Sequence, residues 1–169
     1  MELTRRHVIA AMAGVPVVGV LSTGAVAWTW WDRPPGEGLQ ALSDDEYQIV
    51  QALAEAWMPA GGDPALSGAD ANLGAFFDDL VAGMAGSSGK ELKVLLHIVD
   101  NLARPTHVQA FRNLPLETRT ELIRAWMESP VELVRLAITA VLVLMAMGWT
   151  THPEVVGFFR PMFRCGYGR

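Results

Sequence analysis

The sequence predicts an all-α domain, a compact bundle of about five to six helices behind an N-terminal apolar helix. Three observations predict it. Apolar residues recur three and four positions apart through most of the chain, no stretch alternates apolar and polar as a strand does, and Pro or Gly cuts the periodic segments into helix-sized pieces. There is no internal repeat and no low-complexity tract.

The first element is residues 1–31. Thr4, Arg5 and Arg6 stand just ahead of a 24-residue stretch, Val8 to Trp31, that carries no charge. Basic residues, then an Ala/Gly/Val-rich core, then the small-x-small triplet Ala25-Val26-Ala27 have the order of an export signal with a candidate cleavage site after Ala27. Thr4-Arg5-Arg6-His7-Val8-Ile9-Ala10 resembles the twin-arginine signal, departing from it at Val8 and Ala10. An uncleaved anchor is the competing expectation. A bilayer core needs about 20 residues, and Trp28, Trp30 and Trp31 would form an interfacial belt opposite Arg5 and Arg6. Gly14, Pro16, Gly19 and Gly24 weaken such a helix, as suits a signal core. The chain is thus expected on the outer side of the cytoplasmic membrane, in the periplasm or held at the surface.

Residues 32–41, with Pro34, Pro35, Gly36 and Gly38, are expected to be a linker, and residues 42–169 the helical domain. Ser43 and Glu46 make a capping box for a helix whose face carries Tyr47, Val50, Leu53, Ala54 and Trp57, and Pro59 ends it. After the loop Ala60 to Pro64, Ser67 or Asp70 is expected to cap a helix burying Leu73, Phe76, Phe77, Leu80 and Met84. Glycines and serines from Gly83 to Gly89 break it. The third helix buries Leu92, Leu95, Leu96, Val99 and Leu102 and leaves Lys90, Lys93 and Asp100 on its other face, with Pro105 as its stop. Pro115 opens a fourth with Leu122, Ile123 and Trp126, ending near Pro130. The fifth is nearly apolar from Leu136 to Met147, too short a run to span a bilayer, and is expected to be the central buried helix. A short helix follows Pro153. The tail from Phe158 to Arg169 is aromatic, cationic and broken by Gly and Pro.

Composition narrows the chemistry. The single cysteine, Cys165, excludes an internal disulfide, covalent haem attachment and a paired-cysteine metal site, and leaves an inert thiol or an interchain bond. Residues 32–79 hold ten carboxylates against Arg33 alone, whereas residues 80–169 hold ten basic residues against seven acidic. The scattered basic residues make no nucleic-acid footprint. His97 and Asp100 share a helix face at a spacing that suits two metal ligands, but no third ligand motif joins them. Glu-x-x-His, His-Glu-x-x-His, a phosphate-binding glycine loop and a nucleophile elbow are all absent. His107 and His152 fall at helix boundaries, as solvent-facing or capping residues. Asp44-Asp45-Glu46 and Asp78-Asp79 are expected to be a favourable first turn and a solvated face. Catalytic, cofactor-binding and metal sites are therefore not assigned. Phe158, Phe159, Arg160, Phe163, Arg164, Cys165 and Tyr167, aromatic and arginine-rich, are the candidate partner interface, unless the phenylalanines close the domain's own core.

From end to end the chain resembles the gluconate 2-dehydrogenase subunit 3 family. The resemblance rests on the twin-arginine-like start, Leu42-Ser43-Asp44-Asp45-Glu46 leading to Leu53-Ala54-Glu55-Ala56-Trp57-Met58-Pro59, and Ser67-Gly68-Ala69-Asp70 ahead of Phe76-Phe77-Asp78. It continues in Phe111-Arg112-Asn113-Leu114-Pro115 and Thr151-His152-Pro153-Glu154-Val155. The tail Arg164-Cys165-Gly166-Tyr167-Gly168-Arg169 departs from the family's ending. The resemblance implies a non-catalytic small subunit that stabilises and escorts a large GMC-type flavoprotein through the twin-arginine translocase. FAD and oxidation of an alcohol or sugar would belong to that partner, and a cytochrome c subunit would take the electrons. The alternatives are a passive membrane anchor of the same partner, through residues 8–31, and a stand-alone exported metal-dependent enzyme using His97 and Asp100.

Overall fold

A computed structural model describes residues 29–161. Among these residues the fold is all-helical, without strands. One turn of helix at residues 29–31 comes first. It is followed by α1 (Asp44–Trp57), α2 (Leu73–Gly83), α3 (Ser88–Asn101), the single turn α4 (Arg104–His107), a 3-10 turn (Phe111–Asn113), α5 (Leu116–Met127), α6 (Glu132–Thr151) and α7 (Pro153–Phe159). The segments Thr4 to Ala27 and Met162 to Arg169 lie outside the described residues.

α1 is the hub, packed against α2, α3, α5 and the 3-10 turn. Its start is the expected capping box: Ser43 N–H donates to Glu46 Oε2 at 2.7 Å, and Glu46 N–H donates to Ser43 Oγ at 3.4 Å. Ile49, Val50 and Leu53 then meet Leu73, Phe77, Leu96, Val99, Phe111 and Ile123 in one core, all of them buried. Burying a side chain of this size stabilises by about 1.5–3 kcal/mol, and these residues supply the main driving force for the fold.

Three expectations need correction. α2 is not capped by Ser67 or Asp70. Those two close a turn upstream, with Asp70 N–H donating to Ser67 Oγ at 3.1 Å, and Asn72 at φ 49 precedes the helix instead. Asn tolerates the left-handed region that most side chains avoid. Lys93 and Asp100 do not face solvent; both are buried, Lys93 under α1 and the segment before it, and Asp100 against Arg112 of the 3-10 turn. α6 is not the buried centre. It packs on α2, α3, α5 and α7 with Ile138, Val141, Leu142 and Met145, while Leu136, Val143 and Met147 stand 58%, 53% and 55% exposed. At 20 residues, with a mean hydropathy of 1.9 over its most apolar 18, it is long and apolar enough to cross a membrane; 28% of that window is buried.

Two close approaches hold the layers together. Gly68 N–H donates to Met58 O at 2.8 Å, and a Cβ on Gly68 would fall 2.2 Å from Ala54 O. On α6, a Cβ on Gly148 would fall 2.5 Å from Phe76 Cδ1. Only glycine lets the backbone come so near.

Candidate functional site

The polar residues converge beneath residues 30–42. Rather than spacing the domain from what precedes it, this segment lies along α1, α2 and α3 as a strap. Gly36 N–H donates to Leu42 O at 2.8 Å and Leu39 N–H to Gly36 O at 3.1 Å, giving it a compact turn. Asp78, on α2, accepts three consecutive strap amides: Gln40 N–H on Oδ2 at 2.8 Å, and Ala41 and Leu42 N–H on Oδ1 at 2.9 and 2.8 Å. Only its neighbour Asp79 is the exposed residue that both were expected to be. Burial pushes the Asp78 carboxyl up, but the three amide bonds and the nearby Lys93 charge outweigh this and hold it below its ordinary value.

Lys93 ties the strap to α1. Its Nζ donates to Arg33 O and Ala41 O, both at 2.9 Å, and stands 3.3 Å from Glu46 Oε2. Glu46 is fully buried, and its other oxygen lies 3.2 Å from His97 Nε2. Since an ionised carboxylate only accepts, Nε2 carries the proton of that bond. Burial raises the Glu46 carboxyl, yet the bonds from His97 and Ser43 and the Lys93 charge more than offset it, leaving it below its ordinary value. The His97 ring is covered by Trp30, whose indole stacks on it with centroids 5.0 Å apart and planes 14° from parallel. The Trp31 ring lies 6.0 Å from Lys90 Nζ, and Lys90 pairs with Asp32 at 2.5 Å.

A second layer closes the cluster. Arg112 bridges Asp45 Oδ1 at 3.1 Å and Asp100 Oδ2 at 3.6 Å, and its own N–H donates to Asp100 Oδ1 at 3.0 Å. Asp45 also pairs with Arg33, and the bond from Arg33 is the main reason its carboxyl is held low. Asp100 goes the other way, because burial outweighs the amide and charge of Arg112 and raises its carboxyl. His97 and Asp100, the pair on which the metal-dependent alternative rests, are held by different partners. Among the described residues no group of three His, Cys, Asp or Glu could hold a metal ion. Glu46 has no accessible atom and each of its oxygens is bonded, so this carboxylate acts as a clamp on the strap.

His152 fulfils its capping role, its Nδ1 accepting from Glu154 N–H at 3.4 Å, and His107 is exposed at the end of α4. Of the candidate interface, Phe158 and Phe159 meet edge to face at 5.1 Å on α7, half-buried, and Arg160 is exposed. Phe163, Arg164, Cys165 and Tyr167 lie outside the described residues, as do Thr4, Arg5, Arg6, Ala25 and Ala27. Sequence reasoning missed Glu46, Asp78, Lys93 and Arg112 as one cluster, and missed the α6 surface. No family model, no curated protein and no solved structure matches this chain.

Proposed function

We propose that the chain is a non-catalytic small subunit that binds, stabilises and escorts a GMC-type flavin-dependent dehydrogenase, acting on an alcohol or sugar, through twin-arginine export. The supporting observation is the open face of α6. Leu136, Ala140, Val143 and Met147 follow one another four, three and four positions apart, so they form a single uncharged stripe, about 16 Å long at 1.5 Å per residue. A contiguous exposed apolar surface of this kind marks an interaction site on a water-facing domain. Val156 on α7 is also exposed, beside the half-buried Phe158 and Phe159 that begin the aromatic tail. FAD belongs to the partner in this reading, and a cytochrome c subunit would accept its electrons. The arginine pair ahead of the apolar segment supplies one signal for two chains, which suits a partner that must fold around its cofactor before crossing the membrane.

Tagged protein recovered from native membranes and periplasm tests the reading. A yellow co-purifying flavoprotein is expected. Val143→Glu with Met147→Glu should release that partner without changing the unfolding midpoint of the small chain, and Arg5→Lys with Arg6→Lys should keep both chains in the cytoplasm. A colourless chain that purifies alone rejects the reading.

A further inference from the structure

The strap bears on whether the apolar segment is removed after export. We propose that residues 30–42 keep residues 1–27 attached to the exported chain, so that the apolar segment remains as a membrane mount and the domain is seated directly on the lipid bilayer. This rests on the export reading of residues 1–31 and extends it.

The argument starts from distance along the chain. Cleavage after Ala27 would leave Trp28 and Thr29 as the sole residues before Trp30, and Trp30 is already stacked on His97. A peptidase needs several residues on both sides of the scissile bond drawn out as an extended strand. Here the product side is a helical turn at residues 29–31, and the backbone beyond it is fastened by Lys93 to Arg33 O and by Asp78 to Gln40, Ala41 and Leu42. Drawing that side out means unstacking Trp30 and pulling against bonds to buried charged groups. A twin-arginine substrate crosses folded, so the strap is fastened before a peptidase on the far side meets it.

The same geometry places the domain. A charge-free run of 24 residues suffices to span a bilayer, and it ends in Trp30 and Trp31, which belong to the folded unit. Both indoles are half-buried, and the Trp31 ring lies beside Lys90, an exposed cation with an apolar stem. Tryptophan with lysine at the end of an apolar segment is the combination that settles at headgroup level. The partner of this end of the molecule is therefore the outer leaflet, met without an intervening linker.

The test measures the intact mass and fraction of the full-length, C-terminally tagged chain after export, with protease added outside the inner membrane to confirm its side. Wild type is expected in the membrane fraction with the mass of residues 1–27 present. A variant with about ten Gly/Ser residues inserted between Thr29 and Trp30 frees the cleavage region while leaving the strap's contacts in place. That variant should lose the mass of residues 1–27 and move to the soluble fraction. An exported wild type that begins at Trp28 overturns the inference alone. A spacer variant retained as fully as wild type also overturns it, since retention would then come from the apolar segment itself. A chain kept on the cytoplasmic side overturns the export reading together with the inference.

Discussion

His97 lies flat under Trp30, and this stack joins the residue at the root of the apolar segment to a carboxylate, Glu46, that has no contact with water. Breaking the charge balance at that carboxylate is expected to be costly. Glu46→Gln keeps the shape but replaces an acceptor by a donor facing Ser43 N–H and Lys93, or facing His97, and removes the buried carboxylate that Lys93 touches. A loss of about 3–5 kcal/mol is expected from urea unfolding. Asp45→Asn, at a side chain 40% exposed, should cost about 1 kcal/mol or less.

Asp78 offers a more local test. Asn can accept on one oxygen, but its amide would then face the Gln40 N–H as a second donor. Asp78→Asn is expected to destabilise by about 2–3 kcal/mol. The telling readout is amide hydrogen exchange, which should quicken at Gln40, Ala41 and Leu42 far more than in the middle of α1.

Acid should unfold the protein through the carboxylates that folding holds low. Glu46, Asp78 and Asp45 have folded values below their unfolded ones, so their contribution is present above the unfolded carboxylate range, about pH 4, and is lost as pH falls through the folded values. Asp100 is raised and has the opposite sign. Its contribution is present below about pH 4 and is lost as pH rises from there through its folded value. Asp100→Asn keeps an oxygen for the Arg112 N–H and removes the buried charge. Its unfolding midpoint should gain on wild type as pH goes from 4 to 7, and a parallel pair of curves would count against the assignment.

The two close glycines should respond differently. Gly68→Ala drives a methyl group into the Ala54 carbonyl, a backbone atom that cannot turn aside, and about 3 kcal/mol should be lost. At Gly148 the methyl group would fall 2.5 Å from Phe76 Cδ1 and 2.8 Å from Phe76 Cγ, and turning the ring about its own axis leaves Cγ in place, so the whole side chain has to shift, while alanine favours the helix by about 1 kcal/mol. Gly148→Ala should therefore lose about 1–2 kcal/mol by thermal unfolding, less than Gly68→Ala.

The contrast between α1 and the strap shows what could be read in advance. Ser43, Glu46 and Pro59 signal helix ends through contacts within a few residues, and the helical period does the same for the core faces. The partners of Glu46 beyond its cap, and those of Asp78, lie 36 to 51 residues away in sequence, so no local pattern announces them. A partial signal existed. Glu46 is three and four residues before Ile49 and Val50, Asp78 is four after Gly74 and three before Val81, and Lys93 and Asp100 are three and four residues from Leu96. Each polar residue sits on a buried apolar face. Reading charge as an automatic mark of solvent obscured them. α6 failed in the opposite direction, because a helix apolar all round was taken to be covered all round, whereas the described neighbours cover one side.

The strap also has a history in time. Its residues leave the ribosome before any of the side chains that hold them, since Asp78 follows Leu42 by 36 residues and Lys93 follows Arg33 by 60. His97 follows Trp30, which it stacks on, by 67 residues, so at synthesis rates of about 5–20 residues per second the start of the strap waits about 3–13 seconds until its last fastening exists. Once α3 has emerged and docked, the strap is fastened while α5, α6 and α7 have still to be made.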